Sequence, residues 1–166
     1  MKKVQAIAWS PNSRKLAVAN SDRVILLYDE SGALRDKIPT RALDGKSRNY
    51  VIRALDFSPD STMLSVAQSD NVVYVYNIGA DFGMQKTVCN RYTASSSVTC
   101  QCWPGKKLNE MYYGLSDGKI KVGYIKGNKT ELIRKTESYV VSMAASYDSN
   151  FILTGHYDNS VYMYNL

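Results

Sequence analysis

The 166 residues are enough for one hydrophobic core, and 45% apolar with 22% charged residues excludes a disordered chain. A net charge of +6 permits acidic proteins, anionic lipid or nucleic acid as partners without choosing among them. No run approaches the roughly 18 apolar residues of a membrane span. From the amino end, Val4 to Trp9 reads as a strand, Ser10-Pro11-Asn12-Ser13 as a turn and Lys15 to Asn20 as a second strand. Asp22-Arg23 then makes a hairpin to Val24–Asp29, and the more polar Ala33 to Ile38 suits an outer, edge strand.

The same order recurs. Val51 to Phe57, Ser58-Pro59-Asp60-Ser61, Met63 to Gln68, Asp70-Asn71 and Val72 to Asn77 repeat it, with Gln85 to Tyr92 outermost. Proline pre-sets the first corner of the turn, and an Asp-Asn pair tolerates the left-handed angles of a two-residue hairpin. A third copy runs through Val98–Trp103, Asn109–Leu115, Asp117-Gly118, Lys119–Gly123 and Glu131–Thr136. There Gly123 falls where the other copies carry Tyr28, Tyr76 and Tyr164. The fourth runs through Tyr139–Ala145, Phe151–Gly155, Asp158-Asn159 and Val161–Asn165, without an outer strand. Trp9, Phe57, Trp103 and Ala145 are spaced by 48, 46 and 42 residues, and the hairpin aspartates Asp22, Asp70, Asp117 and Asp158 by 48, 47 and 41. That regularity defines repeats at 4–38, 51–92, 97–136 and 139–165.

These features resemble WD40 repeats, which implies an all-β propeller whose blades are four-stranded sheets. Four blades with 4+4+4+3 strands are expected. Because WD40 rings usually hold seven blades, the chain is expected to form part of a larger propeller. The usual Trp-Asp pair stands here as Tyr28-Asp29, Tyr76-Asn77 and Tyr164-Asn165, and the Gly-His opening is absent. The four hairpin aspartates are expected to stabilise their own turns. An open arc exposes roughly 500 Å² of apolar surface at each end. At about 25 cal/mol per Å² that forgoes on the order of 12 kcal/mol per face, so the isolated chain is expected to self-associate.

No catalytic, cofactor or metal site is expected. Thr40 to Ser47 nearly spells a phosphate-binding loop, but Thr40 replaces its first glycine and a strand follows instead of a helix. Cys100 and Cys102 have no second ligand pair, and with Cys89 they are expected to pack as small core residues in a reducing cytoplasm. His156 is the single histidine, so any Ser-His-Asp or Cys-His arrangement would rest on it. It is read as a turn residue. The basic residues Arg35, Lys37, Arg41, Lys46, Arg48 and Arg53 gather around the long connection 39–49, and Arg41, Lys46 and Arg48 are its candidate interaction residues. That connection interleaves no aromatic residues to stack bases, so nucleic acid is not favoured, while a membrane or polyanion surface stays open as an alternative.

Beyond the repeat, the wording of the chain resembles the intraflagellar transport protein 172 family. The matching stretches include Leu27-Tyr28-Asp29-Glu30, Phe57-Ser58-Pro59-Asp60-Ser61-Thr62, Gln68-Ser69-Asp70-Asn71, Tyr74 to Gly79, Trp103-Pro104 and Thr136 to Ser142. The resemblance implies a non-enzymatic scaffold at the cilium and basal body. Its implied partners are other complex B subunits, one of them carrying a calponin-homology domain, and the rest of its own propeller. A WD40 scaffold of a vesicle coat or of the cytoskeleton is the rival within the same fold.

Overall fold

Among the described residues, seven non-glycine residues have left-handed backbone angles, and six of them sit in just two kinds of turn. Ser13, Ser61 and Ser149 each close a four-residue turn opened by Ser10, Ser58 or Ser146. The opening serine hydroxyl donates to the Asn12, Asp60 or Asp148 side chain and accepts the backbone N–H of Lys15, Met63 or Phe151. Arg23, Asn71 and Asn159, joined by Gly118, close the second kind, one residue after each hairpin aspartate. Only that one residue is left-handed, so these are type I turns followed by a bulge residue rather than the two-residue hairpins the Asp-Asn pair suggests.

Between the turns run fifteen strands; the computed structural model describes residues 2–46 and 49–166. The first sheet holds β1 (Val4–Trp9), β2 (Lys15–Asn20), β3 (Val24–Asp29) and β4 (Leu34–Pro39). The second holds β5 (Ile52–Phe57), β6 (Met63–Gln68), β7 (Val72–Asn77) and β8 (Thr87–Thr93). The third holds β9 (Val98–Cys102), β10 (Glu110–Leu115), β11 (Lys119–Tyr124) and β12 (Lys129–Lys135). The fourth has three strands, β13 (Val140–Ala145), β14 (Phe151–His156) and β15 (Val161–Asn165). Every pairing is antiparallel and sequential. The strand count of 4+4+4+3 is the one the repeats imply.

The sheets stack face to face as propeller blades, with β1 packed on β5, β5 on β9 and β9 on β13. One apolar layer fills each gap. Leu27, Ile38, Phe57 and Tyr76 belong to the first, Tyr92, Trp103 and Tyr113 to the second, and Cys100, Val122 and Ile152 to the third. Gly123 pairs with Met111 as Tyr76 pairs with Leu64, and the reason it is glycine lies in the neighbouring blade. A Cβ there would stand 2.8 Å from the Tyr92 ring, which occupies the space a side chain would take.

Polar ties cross the same gaps. The buried ammonium of Lys15, in the first blade, donates to the carbonyls of Gly79 and Ala80 in the second at 3.0 and 2.5 Å. Burial lowers its pKa. The Asp56 carboxylate accepts the N–H of Phe57 at 2.9 Å and, across the next gap, that of Trp103 at 2.7 Å. Burial outweighs those two bonds and raises its pKa to about 6. Between the third and fourth blades, the Thr99 hydroxyl donates to the Val140 carbonyl at 2.5 Å.

Candidate functional site

The connection between the first two blades is laid into the outer part of their gap and held there. The Leu43 N–H donates to Asp70 Oδ2 at 2.8 Å, and the Tyr74 hydroxyl donates to the Ala42 carbonyl at 3.3 Å. Gln68, oriented with its amide nitrogen outward, donates to the Arg41 carbonyl and to Asp70 Oδ1, both at 3.1 Å. The Thr40 and Tyr50 hydroxyls bond each other at 2.9 Å. Thr40 to Leu43 therefore have a fixed path, and Arg41 and Lys46 are exposed. Arg48 lies outside the described residues.

Three hollows open around Arg41. One of about 420 Å³ is lined by Arg23, Thr40, Lys46 and Tyr50; one of about 570 Å³ by Lys37, Tyr76 and Lys86; and one of about 520 Å³ by Tyr74 and Arg91. The structure thus brings Lys37, Arg41 and Lys46 together and separates them from two other members of the sequence cluster. Arg35 is bound to Asp29 at 2.6 Å, and Arg53 lines a different hollow beside Gln5. Arg23 and Arg91 join the site from elsewhere in the chain. Their spacing gave no signal, because only the path of the connection between the blades puts them beside Arg41.

The four hairpin aspartates divide. Asp117 accepts the Lys119 N–H and Asp158 the Ser160 N–H, each within its own turn. Asp22, Asp70 and also Asp117 reach the segment preceding their own blade, Asp22 through an ion pair with Lys2, Asp70 through the Leu43 N–H and Asp117 by accepting the Ser95 hydroxyl at 3.2 Å. In the first turn the backbone is capped by Asn20, whose Oδ1 accepts the N–H of Asp22 and of Val24. Lys119 is paired with Asp117 at 2.6 Å.

The remaining reactive side chains are occupied or buried. His156 opens the last hairpin turn, its carbonyl accepting the Asn159 N–H at 3.1 Å, and so is the turn residue expected. It is buried, with Nε2 2.9 Å from the Thr154 hydroxyl and Nδ1 3.2 Å from the Ser138 carbonyl, so Nδ1 carries the proton and both nitrogens hold the blade together. Cys100 and Cys102 sit in the third apolar layer, where burial raises both thiol pKa values and leaves them protonated. Cys89 departs from the expected core packing, standing exposed on the outer strand β8. Among the described residues no group of three or more His, Cys, Asp or Glu side chains is placed to hold a metal, and no helix is long and apolar enough to cross a membrane.

The family described as "WD domain, G-beta repeat" matches residues 2–29, 37–77 and 129–165. The chain belongs to the WD-repeat family. The matched segments skip most of the third blade, which folds as a WD blade although its turn is Pro104-Gly105 and its tyrosine position is Gly123. Among curated proteins, the human intraflagellar transport protein 172 homolog is 43% identical over 98% of this chain, and the Danio rerio homolog 46% over the same share. The Chlamydomonas reinhardtii intraflagellar transport protein 172 is 40% identical, again over 98%. The WD chain spans 9 to 10% of the length of these relatives. The crystal structure of the computationally designed Ika4 protein superposes with a TM-score of 0.72 at 21% identity, covering 99% of this chain and 91% of that one. That likeness shows the fold alone.

Proposed function

We propose that this WD-repeat chain is a non-enzymatic docking scaffold of intraflagellar transport, working with complex B subunits at the cilium and basal body and in the cytoplasm. The observation that carries the proposal is identity of 40 to 46% across 98% of the chain to proteins named for that process in human, fish and alga. The fold is consistent with it. A rigid stack of blades presents connections and lateral faces to other proteins. The side chains that could do chemistry are engaged in turns and gaps between blades. The uncovered faces of the first and fourth blades are where further blades of the propeller would pack.

The test is affinity purification of the tagged, full-length protein from ciliated cells. Complex B subunits should co-purify and the tag should concentrate at the ciliary base. Reproducible absence of those subunits, or recovery of vesicle-coat or cytoskeletal assemblies in their place, would overturn the assignment.

A further inference from the structure

We infer that the cleft around Arg41 is a docking groove for an acidic, extended peptide segment of a partner protein. This rests on reading the chain as a docking module and adds the place and the chemistry of one dock. Arg41 lines all three hollows, so they adjoin around its side chain as one cleft region, with β4 on one side and β7 and β8 on the other. Arg23, Lys37, Lys46 and Arg91 face it with Arg41, and none of these five forms an ion pair among the described residues. The nearby acids are engaged. Asp22 is held by Lys2, Asp36 by Lys86 at 2.7 Å, Asp70 by Leu43 and Gln68, and Asp44, which lines the third hollow, accepts the Lys46 N–H at 2.9 Å.

A second observation points the same way. Tyr76 is only 4% exposed and lines the cleft, and its hydroxyl sits beside the Arg41 guanidinium, which can donate to it but leaves the hydroxyl proton without an acceptor. A buried hydroxyl proton without an acceptor is costly, and a carboxylate paired with Arg41 would supply one. Because Thr40 to Leu43 are already held between the blades, docking against Arg41 would order little of that segment.

The geometry selects among anions. A lipid surface touches exposed Arg41 and Lys46 but does not enter a gap to reach Tyr76. Free phosphate would want converging backbone N–H groups, and the connection supplies its N–H groups to Asp70 and to its own turn instead. Nucleic acid needs open aromatic faces, whereas Tyr50, Tyr74 and Tyr76 are buried. An extended peptide with carboxylates at alternate positions, about 7 Å apart, fits cations spread along a cleft.

The experiment titrates the WD chain into a fluorescein-labelled peptide of about twelve residues alternating Glu and Gly, beside its Gln counterpart. The Glu peptide should bind and the Gln peptide should not, with affinity falling steeply as salt rises. Arg41→Gln should weaken binding about tenfold or more, and Tyr76→Phe about threefold to tenfold. Tyr76→Phe should leave the melting temperature unchanged or raised, a pattern a structural hydroxyl would not give. Lys121→Gln with Lys129→Gln, on the third blade, should leave binding intact. Binding indifferent to both Arg41→Gln and Tyr76→Phe would overturn the inference. So would displacement of the peptide by millimolar inorganic phosphate, or phosphatidylserine vesicles bound more strongly than the peptide and equally by Tyr76→Phe. The complex B purification reports on the scaffold assignment separately, since a peptide-binding cleft could persist if that assignment fails.

Discussion

The second and fourth blades are built from the same repeat yet bury themselves differently. In the second, nearly every residue of β6 and β7 is buried, because a blade lies against each face. In the fourth, β14 alternates and β15 is mostly exposed, with Val161 and Met163 facing outward. The aromatic position at the end of each inner strand records the same contrast. Phe57 is 1% exposed and Trp103 is 6%, while Trp9 on the outward side of the first blade is 55%. Burial of a WD blade is thus a property of its neighbours as much as of its own residues.

The contrast can be broken by truncation. Phe57→Ala should cost about 3–5 kcal/mol in urea unfolding, and Trp9→Ala less than about 1 kcal/mol, when both are measured on the isolated chain. Within a full-length protein whose further blades cover the first, Trp9→Ala should approach the Phe57→Ala cost.

A subtler probe follows proton uptake at the second and third blades. Asp56 has its pKa raised by burial from the ordinary 3.8 to about 6, so the folded state holds its proton more tightly than the unfolded one. The sign is therefore opposite to that of a salt-bridged carboxylate: its contribution is most favourable below about pH 4 and is lost as pH rises through 6. Full ionisation costs about 3 kcal/mol. Asp56→Asn removes the titration, so its stability relative to the parent should climb as pH rises from about 4 to 6.5. The climb levels off above about pH 6.5, and a difference flat across about pH 4 to 6 would place the Asp56 pKa elsewhere.

Lys15→Met should cost about 1.5–3 kcal/mol, because the Gly79 and Ala80 carbonyls lose their cation at the first gap. The smallest effect belongs to the outward face. Val161→Lys should change stability by no more than about 0.5 kcal/mol, yet light scattering should show less self-association than in the parent chain.

The repeat made the blades legible in sequence, because a side-chain period of two and serine- or aspartate-led turns are local signals. Outer strands were placed less well. The expected Gln85–Tyr92 forms as Thr87–Thr93, and Glu131–Thr136 as Lys129–Lys135, since polar edge strands carry little alternation and take their bounds from pairing. What joins blades was invisible. Asp56 stands where the other copies have Ala8, Cys102 and Ala144, and its partner Trp103 lies in the next repeat. Charge alone found Arg41 and Lys46, but Arg23 and Arg91 needed the folded path of the connection, and the Tyr76 hydroxyl needed its surroundings.

Each apolar layer joins only two adjacent sheets, so the molecule is coupled nearest neighbour to nearest neighbour, in the manner of a one-dimensional array. Unzipping should begin at the two outermost sheets and travel inward. Amide hydrogens in β15 should therefore trade with deuterium long before those in β6, grading protection along the row instead of losing it everywhere at once.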